Sequence, residues 1–292
     1  MDYWQLSAIE RLMFKLSYCK GIGIAGKWKI VTFAQATQKT DFSLAELLRI
    51  AEIQKFQGIF KQSWQALEEE WLVQQAAEQT FLTWLSPAYP KELQNLFQRP
   101  LILFYIGNIA LLDYPKLAFV GARDATSYAR QVVCKVIPKI VEQNFVIVSG
   151  LAKGVDSYSH EIAIRAGGAT IGVIGCGLDI CYPREACDLF IEMRKNHLIL
   201  SEYPKGTAVQ RYHFPMRNRI IAGLSKGTCV IEAKEKSGSL ITAQLALEYG
   251  KEVFAVPGEI ISGQSNGCHQ LIQDGAKCVC SIQDILEELP HF

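Results

Sequence analysis

The chain has 292 residues, of which 49% are hydrophobic and 20% are charged, and its formal net charge is +1. This composition is typical of a soluble globular protein with ample apolar material for a core. The near-neutral charge excludes a sequence-blind polycation, so any nucleic-acid site must be a local patch. We find no signal peptide and no apolar run of about 20 residues, which predicts a cytoplasmic protein without a membrane span.

The first 84 residues are predicted to be helical. Ile9, Met13 and Leu16 recur at the i, i+4, i+7 spacing of one helical face. Glycines within residues 19–23 permit a tight turn, and further helical stretches follow at 44–53 and 63–72. A helix–GxG–helix arrangement can grip a DNA backbone, but packing between helices explains these glycines more simply. We expect a small all-helical domain over residues 1–84.

Residues 85–292 have a different pattern, in which apolar strands alternate with helices. Prolines at 87 and 90 mark the boundary, and a first strand is predicted within 100–108. Further strands are predicted at 117–120, 145–149, 170–175, 197–201, 229–233 and 252–258. Helices are predicted at 127–144, 155–166, 184–195, 217–225 and 241–249. Because these strands are uniformly apolar, we predict a doubly wound α/β domain with a mainly parallel sheet covered on both faces.

A basic and aromatic stretch lies between Glu202 and Glu232, where no other Asp or Glu occurs. Its cations and aromatic residues are Lys205, Arg211, Arg217, Arg219 and Lys226, with Tyr203, Tyr212 and Phe214. Cations neutralise phosphates and aromatic faces stack with unpaired bases, so this mixture suits a flexible polyanion. The alternative is a loop that enters a helix, with the arginines paired to acids elsewhere and the phenylalanine in the core.

Glycines and cations recur where the predicted strands end. Ligands of doubly wound sheets bind beyond the carboxyl ends of the strands. Small residues ahead of helix N-termini expose backbone N–H groups there and form anion cradles. Several such cradles suit successive phosphates better than a single mononucleotide. The candidate DNA-binding residues are Gly121, Arg123, Ser149, Gly150, Lys153, Gly154, Arg184, Phe214, Arg217, Asn218 and Arg219.

Each candidate also has a purely structural interpretation. The glycines can serve tight turns alone, and Arg123 and Lys153 can form ordinary surface ion pairs. Asp156 is better explained as a cap or support of its helix than as a catalytic acid. Asn218 can cap a helix or contact a phosphate.

Arg217 and Arg219 stand two residues apart on a predicted helix and therefore point to nearly opposite faces. We expect at most one of them to face a ligand and the other to pair with an acid such as Glu202 or Glu232. Phe214 precedes a proline, which predicts an extended backbone that presents its ring outward.

Enzyme and metal signatures are largely missing. The sequence lacks GxxxxGK[ST], and in GCGLDI (175–180) Ile180 replaces the third glycine of a dinucleotide fingerprint. Ser149 lacks the glycine of a nucleophile elbow, and the five histidines are scattered. The nine cysteines form no CxxC pair. We expect reduced, buried, structural cysteines, no metal, no other cofactor and no catalytic site.

Several segments together resemble the DNA-processing protein A family, also called DprA or Smf. They are VGARDATSYAR (120–130), VSGLAKGVDSYSH (148–160), GATIGVIGCGLDICYP (168–183), LSEYPKGT (200–207), FPMRNRIIAGLS (214–225), SGSLITAQLALEYGKEVFAVPG (237–258) and NGCHQLIQDGA (266–276). The family motif that often reads GSR is GAR here, where Ala122 removes one possible hydroxyl donor.

The resemblance implies an extended Rossmann-like fold after a helical domain similar to a sterile alpha motif. It also implies a cytoplasmic homodimer that binds single-stranded DNA, protects incoming DNA and loads RecA recombinase onto it in natural transformation. By the same analogy, Arg123 and the glycine-serine pocket hold phosphates, Arg184 adds a cation, and Phe214 touches a base. The apolar segments around Leu271 and Leu286 are candidates for the dimer interface.

Two functions from different classes remain open at this point. The first is a non-catalytic protein that binds single strands, motivated by the basic and aromatic stretch and the serial anion cradles. The second is a Rossmann-like nucleoside-monophosphate phosphoribohydrolase that uses Glu202 or Glu232 as its acid. That class typically has a PGGxGT loop, which SGSLIT (237–242) resembles only weakly.

Overall fold

The computed structural model describes residues 2–289. Five helices come first in the chain: α1 (Ala8–Tyr18), α2 (Ile24–Thr37), α3 (Leu44–Ile50), α4 (Gln57–Gln65) and α5 (Glu69–Ala77). Capping boxes formed by Ser7 with Glu10 and by Ser43 with Glu46 fix the starts of α1 and α3. The prediction of a helical region is confirmed as far as residue 77, but the single helical stretch predicted at 63–72 is divided between α4 and α5.

The glycine-containing turn between α1 and α2 is a packing turn. Gly21 has a φ of +75°, which favours glycine. A Cβ atom there would lie 2.8 Å from the carbonyl oxygen of Phe56 and 2.8 Å from the amide nitrogen of Phe60. The close approach of α4 thus explains why a glycine is needed at this position.

Nine strands follow within the described residues and form one sheet. They are β1 (Thr80–Thr83), β2 (Ile102–Gly107), β3 (Lys116–Val120), β4 (Val146–Ser149), β5 (Thr170–Ile174), β6 (Leu198–Ser201), β7 (Gly227–Val230), β8 (Glu252–Ala255) and β9 (Lys277–Cys278). Their order is β1-β2-β6-β5-β4-β3-β7-β8-β9. The β1–β2 and β2–β6 pairs are antiparallel, and all other neighbours are parallel.

Helices cover both faces of this sheet. They are α6 (Lys91–Gln94), α7 (Ser127–Glu142), α8 (Val155–Arg165), α9 (Cys187–Asn196), α10 (His213–Leu224), α11 (Gly238–Glu248), α12 (Asn266–Gln273) and α13 (Gln283–Leu286). Along β3, Ala118 and Val120 belong to a core with residues of α10 and α11, whereas Leu117 and Phe119 belong to one with α7 and α8. This alternation confirms the predicted doubly wound, mainly parallel α/β fold.

The end of the segment predicted to be all-helical belongs to the sheet. Residues 80–83 form β1, which pairs with β2, so the helical prediction is wrong for these four residues. Phe14 of α1 packs against Phe81 of β1 with ring centroids 4.8 Å apart, and both share a core with Phe104 of β2. A strand whose partner lies some 20 residues away leaves little local signal. The division into domains at residues 84 and 85 remains a prediction.

The cysteines differ in part from the expectation. Cys181 and Cys187 are joined by a disulfide, with their Cα atoms 5.7 Å apart, so the prediction of reduced cysteines is wrong for this pair. Cys134 and Cys280 are exposed, whereas Cys19, Cys176, Cys229 and Cys268 are buried as predicted. Among residues 2–289, none of the helices has both the length and the hydropathy needed to cross a membrane.

Candidate nucleic-acid interface

Two cavities open at the carboxyl edge of the sheet. The chain builds β4, β5 and β6 on one side of β3 and returns to β7 on the other, which creates a switch point between β3 and β7. A cavity of about 710 Å³ at this point, the switch-point cavity, is lined by Gly121, Arg217 and Asn218 among others. A neighbouring cavity of about 550 Å³, the side cavity, is lined by residues that include Lys153 and Arg184.

An aromatic partition separates the two cavities and consists of Arg123, Tyr182 and Phe214, each of which lines both. The rings of Tyr182 and Phe214 have centroids 5.9 Å apart and are inclined by 43°. The guanidinium carbon of Arg123 lies 5.2 Å from the centroid of the Phe214 ring, within cation–π distance. A cation and two rings are thus presented together between the cavities.

Phe214 reaches the cavities from a helix, not from extended backbone. The prediction of an extended residue is wrong, because α10 begins at His213, so that Phe214 and Pro215 lie in its first turn. A proline is tolerated there, since the first N–H groups of a helix have no partner within it. His213 fixes this turn through a 2.9 Å contact between its Nδ1 and the carbonyl oxygen of Gly175. The ring of Phe214 is nevertheless presented outward, as expected, because it is only half-buried.

Arg217 is buried beneath the cavities. Its Nη1 donates to the carbonyl oxygen of Val173 over 2.8 Å. The side chain passes so close to Gly150 that a Cβ atom there would lie 1.6 Å from Nη1. Burial lowers the pKa of Arg217, and the negative charge of Asp156 opposes this effect. An arginine remains cationic at neutral pH, so the floor of the switch-point cavity carries a fixed positive charge.

Arg219 does not line either cavity, and the expectation that it contacts the ligand needs correction. It is 3% exposed, and its Nη2 pairs with a carboxylate oxygen of Glu202. Since residues two apart on a helix face different directions, turning Arg217 toward the cavities turns Arg219 into the core. The prediction that one arginine pairs with an internal acid is confirmed.

Ser149 is not available to a ligand, which corrects a second candidate. Its side chain is fully buried, and its Oγ donates to the carbonyl oxygen of Phe119 over 2.6 Å. Gly154 has a φ of +82°, and a Cβ atom there would lie 2.3 Å from the carbonyl oxygen of Ala122. Its role is the turn into α8. Gly121, by contrast, lines the switch-point cavity.

The remaining candidates stand around the cavities. The Nζ atom of Lys153 lies 3.8 Å from Asp124, and this lysine side chain is 61% exposed. It can therefore turn toward a phosphate at little cost, because an exposed ion pair is weak. Asn218 donates from Nδ2 to the carbonyl oxygen of Gly238 over 3.3 Å at the start of α11. Arg184 lines the side cavity, as expected.

Two acids support the site from within. Burial raises the pKa of Asp156, while the charge of Arg217 opposes this shift. Its Oδ2 accepts a 3.4 Å hydrogen bond from the amide of Ala152, which fits the predicted supporting role. Glu232 is 1% exposed and accepts hydrogen bonds from the amide and the hydroxyl of Thr126 at 2.9 and 2.6 Å. It therefore ties the loop after β3 to the end of β7.

Sequence reasoning missed Tyr182 and the hydroxyl groups at the start of α11. Tyr182 is 47% exposed and lies beside Phe214. In the sequence it is only a tyrosine before a proline, after a segment that resembles a dinucleotide fingerprint. Ser237, Ser239 and Thr242 line the switch-point cavity. A signal was present, because these residues follow β7, whose carboxyl end borders the switch point.

Comparisons with known proteins agree with this geometry. Residues 80–290 match the family model described as DNA recombination-mediator protein A. DNA processing protein DprA of Streptococcus pneumoniae is 50% identical over 204 residues, covering 70% of this chain and 72% of that protein. The X-ray structure of DprA from the same species superposes with a TM-score of 0.87 at 39% identity, covering 98% of this chain and 99% of that one.

A second solved structure is that of DNA processing protein A from Helicobacter pylori, whose description concerns its single-stranded DNA binding mode. It has a TM-score of 0.66 and 33% identity, and covers 72% of this chain and 94% of that one. The family model extends from β1 to a position beyond α13 and so includes both cavities and the partition between them. The chain belongs to the DNA recombination-mediator protein A family.

Proposed function

We propose that the protein binds single-stranded DNA along the carboxyl edge of its sheet and catalyses no reaction there. One observation carries the proposal: Arg123, Tyr182 and Phe214 form a partition between two cavities, each of which has its own cations. Arg217 serves the switch-point cavity, and Arg184 serves the side cavity. Successive phosphates would enter the two cavities while bases rest on the rings between them.

The spacing of the two rings favours single strands over duplex. Their centroids are 5.9 Å apart, whereas stacked bases in one strand of B-DNA rise by about 3.4 Å. Bases that lie on both rings must therefore part from each other, which a flexible strand permits and a paired, stacked duplex resists. This geometry supports the proposed preference for single strands.

The contacts and the burial of Glu202 and Glu232 favour DNA binding over hydrolysis. Glu202 is held in its ion pair with Arg219, and the two carboxylate oxygens of Glu232 accept bonds from Thr126. An acid that activates water must be free to exchange a proton at the substrate. The second carboxylate oxygen of Glu202 is buried without a hydrogen-bond partner among the described residues, so the hydrolase alternative would have to open the packing around Glu202 or release Glu232 from Thr126.

Membership of the family supports the wider role. We propose that this protein protects incoming DNA in natural transformation and loads RecA recombinase onto it, as a homodimer in the cytoplasm. The support is the similarity to the DNA processing proteins and the DNA recombination-mediator family model. Leu271 and Leu286 are only partly buried at the C-terminal edge and are our candidates for the dimer interface.

A salt titration of strand affinity tests the proposal. Fluorescence anisotropy would compare a labelled single strand of about 20 nucleotides with a hairpin duplex of the same sequence between about 50 and 200 mM salt. We expect tighter binding of the single strand and an affinity that falls steeply as salt rises. Equal and salt-insensitive affinities would contradict the proposal. Release of free base from nucleoside monophosphates without strand binding would favour the hydrolase.

A further inference from the structure

The outer side of α2 exposes apolar side chains beside the polar residues Lys29 and Thr32. The inner face buries Ile30 and Val31 in the core of the helical region. The opposite side exposes Phe33, together with the small side chains of Ala25 and Ala36. An exposed phenylalanine on the solvent side of a helix can be covered by another protein surface. This face therefore has the composition of a contact surface.

A groove runs along this face of α2. It has a volume of about 1000 Å³ and is bounded by α2, the end of α3 and the loop 96–99. Trp28 and Phe33 line it, and Phe97 stands at its edge with 80% of its surface exposed. Exposed apolar area of this kind marks binding surfaces. We call it the α2 groove.

The rim of the α2 groove is positively charged. Arg99 is stacked on tryptophan rings, with its guanidinium carbon 4.2 Å from the Trp28 centroid and 4.8 Å from the Trp84 centroid. Arg49 is exposed, and within residues 2–289 it takes part in no ion pair. The groove's acid, Glu52, is paired with Lys29. The rim thus offers two cations to an acidic occupant.

A complementary surface exists elsewhere on the same chain. Glu68, Glu69 and Glu70 are consecutive, exposed and outside every ion pair of the described residues. They lead directly into Trp71 of α5, which is 39% exposed and touches the Tyr18 ring edge-on at 4.9 Å. We call this surface the α5 patch. Glu68, three residues before Trp71, and Glu70, next to it, flank this aromatic anchor, whereas Glu69 points to another side of α5. None of these residues lines the groove.

We infer that the α5 patch of one copy docks into the α2 groove of a second copy. Trp71 would contact Phe33 and Phe97. Glu68 and Glu70 would face Arg49 and Arg99. Because the two surfaces are different, the contact is heterologous, and repetition gives an open head-to-tail row that adds to the proposed homodimer and does not replace it. The contact rests on a few rings and exposed charges, so we expect the association to be weak and sensitive to salt.

Such a row would place neighbouring protomers side by side on one strand. This consequence rests on the proposed function, because it makes strand binding cooperative along long strands, as is usual for proteins that coat single strands. Docking itself does not depend on DNA. The two ideas can therefore fail separately.

Sedimentation velocity of the full chain without DNA tests the inference at low salt and rising protein concentration. We expect a growing sedimentation coefficient that higher salt suppresses. Arg49→Glu and Glu70→Arg should each lower the apparent association constant by about tenfold or more, because each places like charges together. An equimolar mixture of the two variants should regain association, because every contact between unlike variants then joins opposite charges, either in the original or in the exchanged arrangement. The double variant should regain association with its charges exchanged.

Controls separate this effect from misfolding and from loss of DNA binding. Lys61→Glu reverses an exposed charge on α4, outside both surfaces, and should change nothing. All variants should keep the thermal midpoint and the affinity for a short oligonucleotide. No association, or association that survives both reversals, would overturn the inference. Sensitivity to Arg49→Glu alone would also overturn it, because an acidic segment of another molecule would then be the occupant.

Discussion

The carboxyl edge of the sheet and the α2 groove both combine cations with aromatic rings, but they hold them in different ways. At the sheet edge, Arg217 is buried, bonded to the carbonyl oxygen of Val173 and pressed against the backbone at Gly150. In the groove, Arg99 is held by stacking on Trp28 and Trp84. Arg99 also donates from Nη1 to the carbonyl oxygen of Gln94 over 2.9 Å, but it remains partly exposed, whereas Arg217 is enclosed.

This difference predicts different sensitivities in the two regions. Strand binding at an enclosed site packed against the backbone should fail when a single methyl group is added, whereas docking at a partly exposed surface should fail mainly when its charges change. The sheet edge is also suited to a ligand whose phosphates enter enclosed cavities. The groove is suited to another protein surface that covers apolar area.

The largest expected effect comes from Gly150→Ala. The new Cβ atom would lie 1.6 Å from Nη1 of Arg217, so the guanidinium must move and its charge must leave the cavity floor. We expect single-strand affinity to fall by about 100-fold, equivalent to two steps of about 1.4 kcal/mol. Anisotropy measures this loss. Gly58→Ala, where no neighbour lies within 4 Å of the new atom, is the control. A loss below about threefold would mean that the buried arginine does not serve binding.

The next effect separates charge from stacking within the partition. Arg123→Ala should weaken single-strand binding by about tenfold and reduce the salt slope by about one phosphate contact. Phe214→Ala should weaken binding comparably but leave the salt slope unchanged, because the ring carries no charge. Arg165→Ala, at the far end of α8, controls for loss of a surface cation. Equal salt slopes for the two variants would contradict the assignment of phosphate contact to Arg123 and of base stacking to Phe214.

A smaller effect is expected at Tyr182, which the sequence does not single out. Tyr182→Ala should cost about fivefold in single-strand affinity, corresponding to about 1 kcal/mol of base stacking. Tyr182→Phe should retain nearly full affinity, because the ring and not the hydroxyl supplies the contact. Fluorescence of 2-aminopurine placed along the oligonucleotide would report the stacking directly. If the phenylalanine variant binds as weakly as the alanine variant, the hydroxyl is the functional group.

The smallest effect concerns the framework beneath the sheet edge. His160 of α8 is fully buried, and burial lowers its pKa to about 3. Thr170 donates its hydroxyl to the carbonyl oxygen of Ile147, so it accepts from His160 Nδ1, and Nε2 lacks a hydrogen-bond partner. The unfolded histidine takes up a proton near pH 6.5 and the folded one does not. Acidification below pH 6.5 therefore favours unfolding, and this contribution to stability is lost progressively toward pH 3.

Between pH 7 and pH 6 this group should lower the free energy of unfolding by about 0.7 kcal/mol. Urea unfolding at the two pH values measures the change. His160→Gln should remove most of it while preserving an amide donor toward Thr170. An unchanged pH dependence in the variant would assign the effect to the other buried histidines, His197 and His213, whose pKa values burial also lowers.

The sequence predicts the sheet and its edge well because both depend on local patterns. Uniformly apolar strands require cover on both faces, and glycines with cations at the strand ends indicate a ligand edge. The spacing of Arg217 and Arg219 also predicts that only one of them reaches the ligand. These inferences use only the spacing of residues along strands and helices, which has the same structural meaning in every fold of the predicted class.

Predictions that depend on distant contacts fail. Strand β1 needs β2 as its partner, and the helical start at Phe214 needs Gly175 to hold His213. The direction of Ser149 cannot be read from a strand that is apolar on both faces. The disulfide between Cys181 and Cys187 depends on how the loop after β5 folds back. Each failure reflects a tertiary contact that overrides a local preference.

The shared core of the helices and the first two strands has a practical consequence for dissecting this molecule. Phe81 and Phe104 project from β1 and β2 and pack against side chains of α1. The helices and the sheet therefore bury this core jointly. A fragment cut at residue 80, where the family match begins, would expose these phenylalanines with Leu101 and Ile102 to water. We expect such a truncated protein to aggregate unless these newly exposed apolar residues are replaced by polar ones.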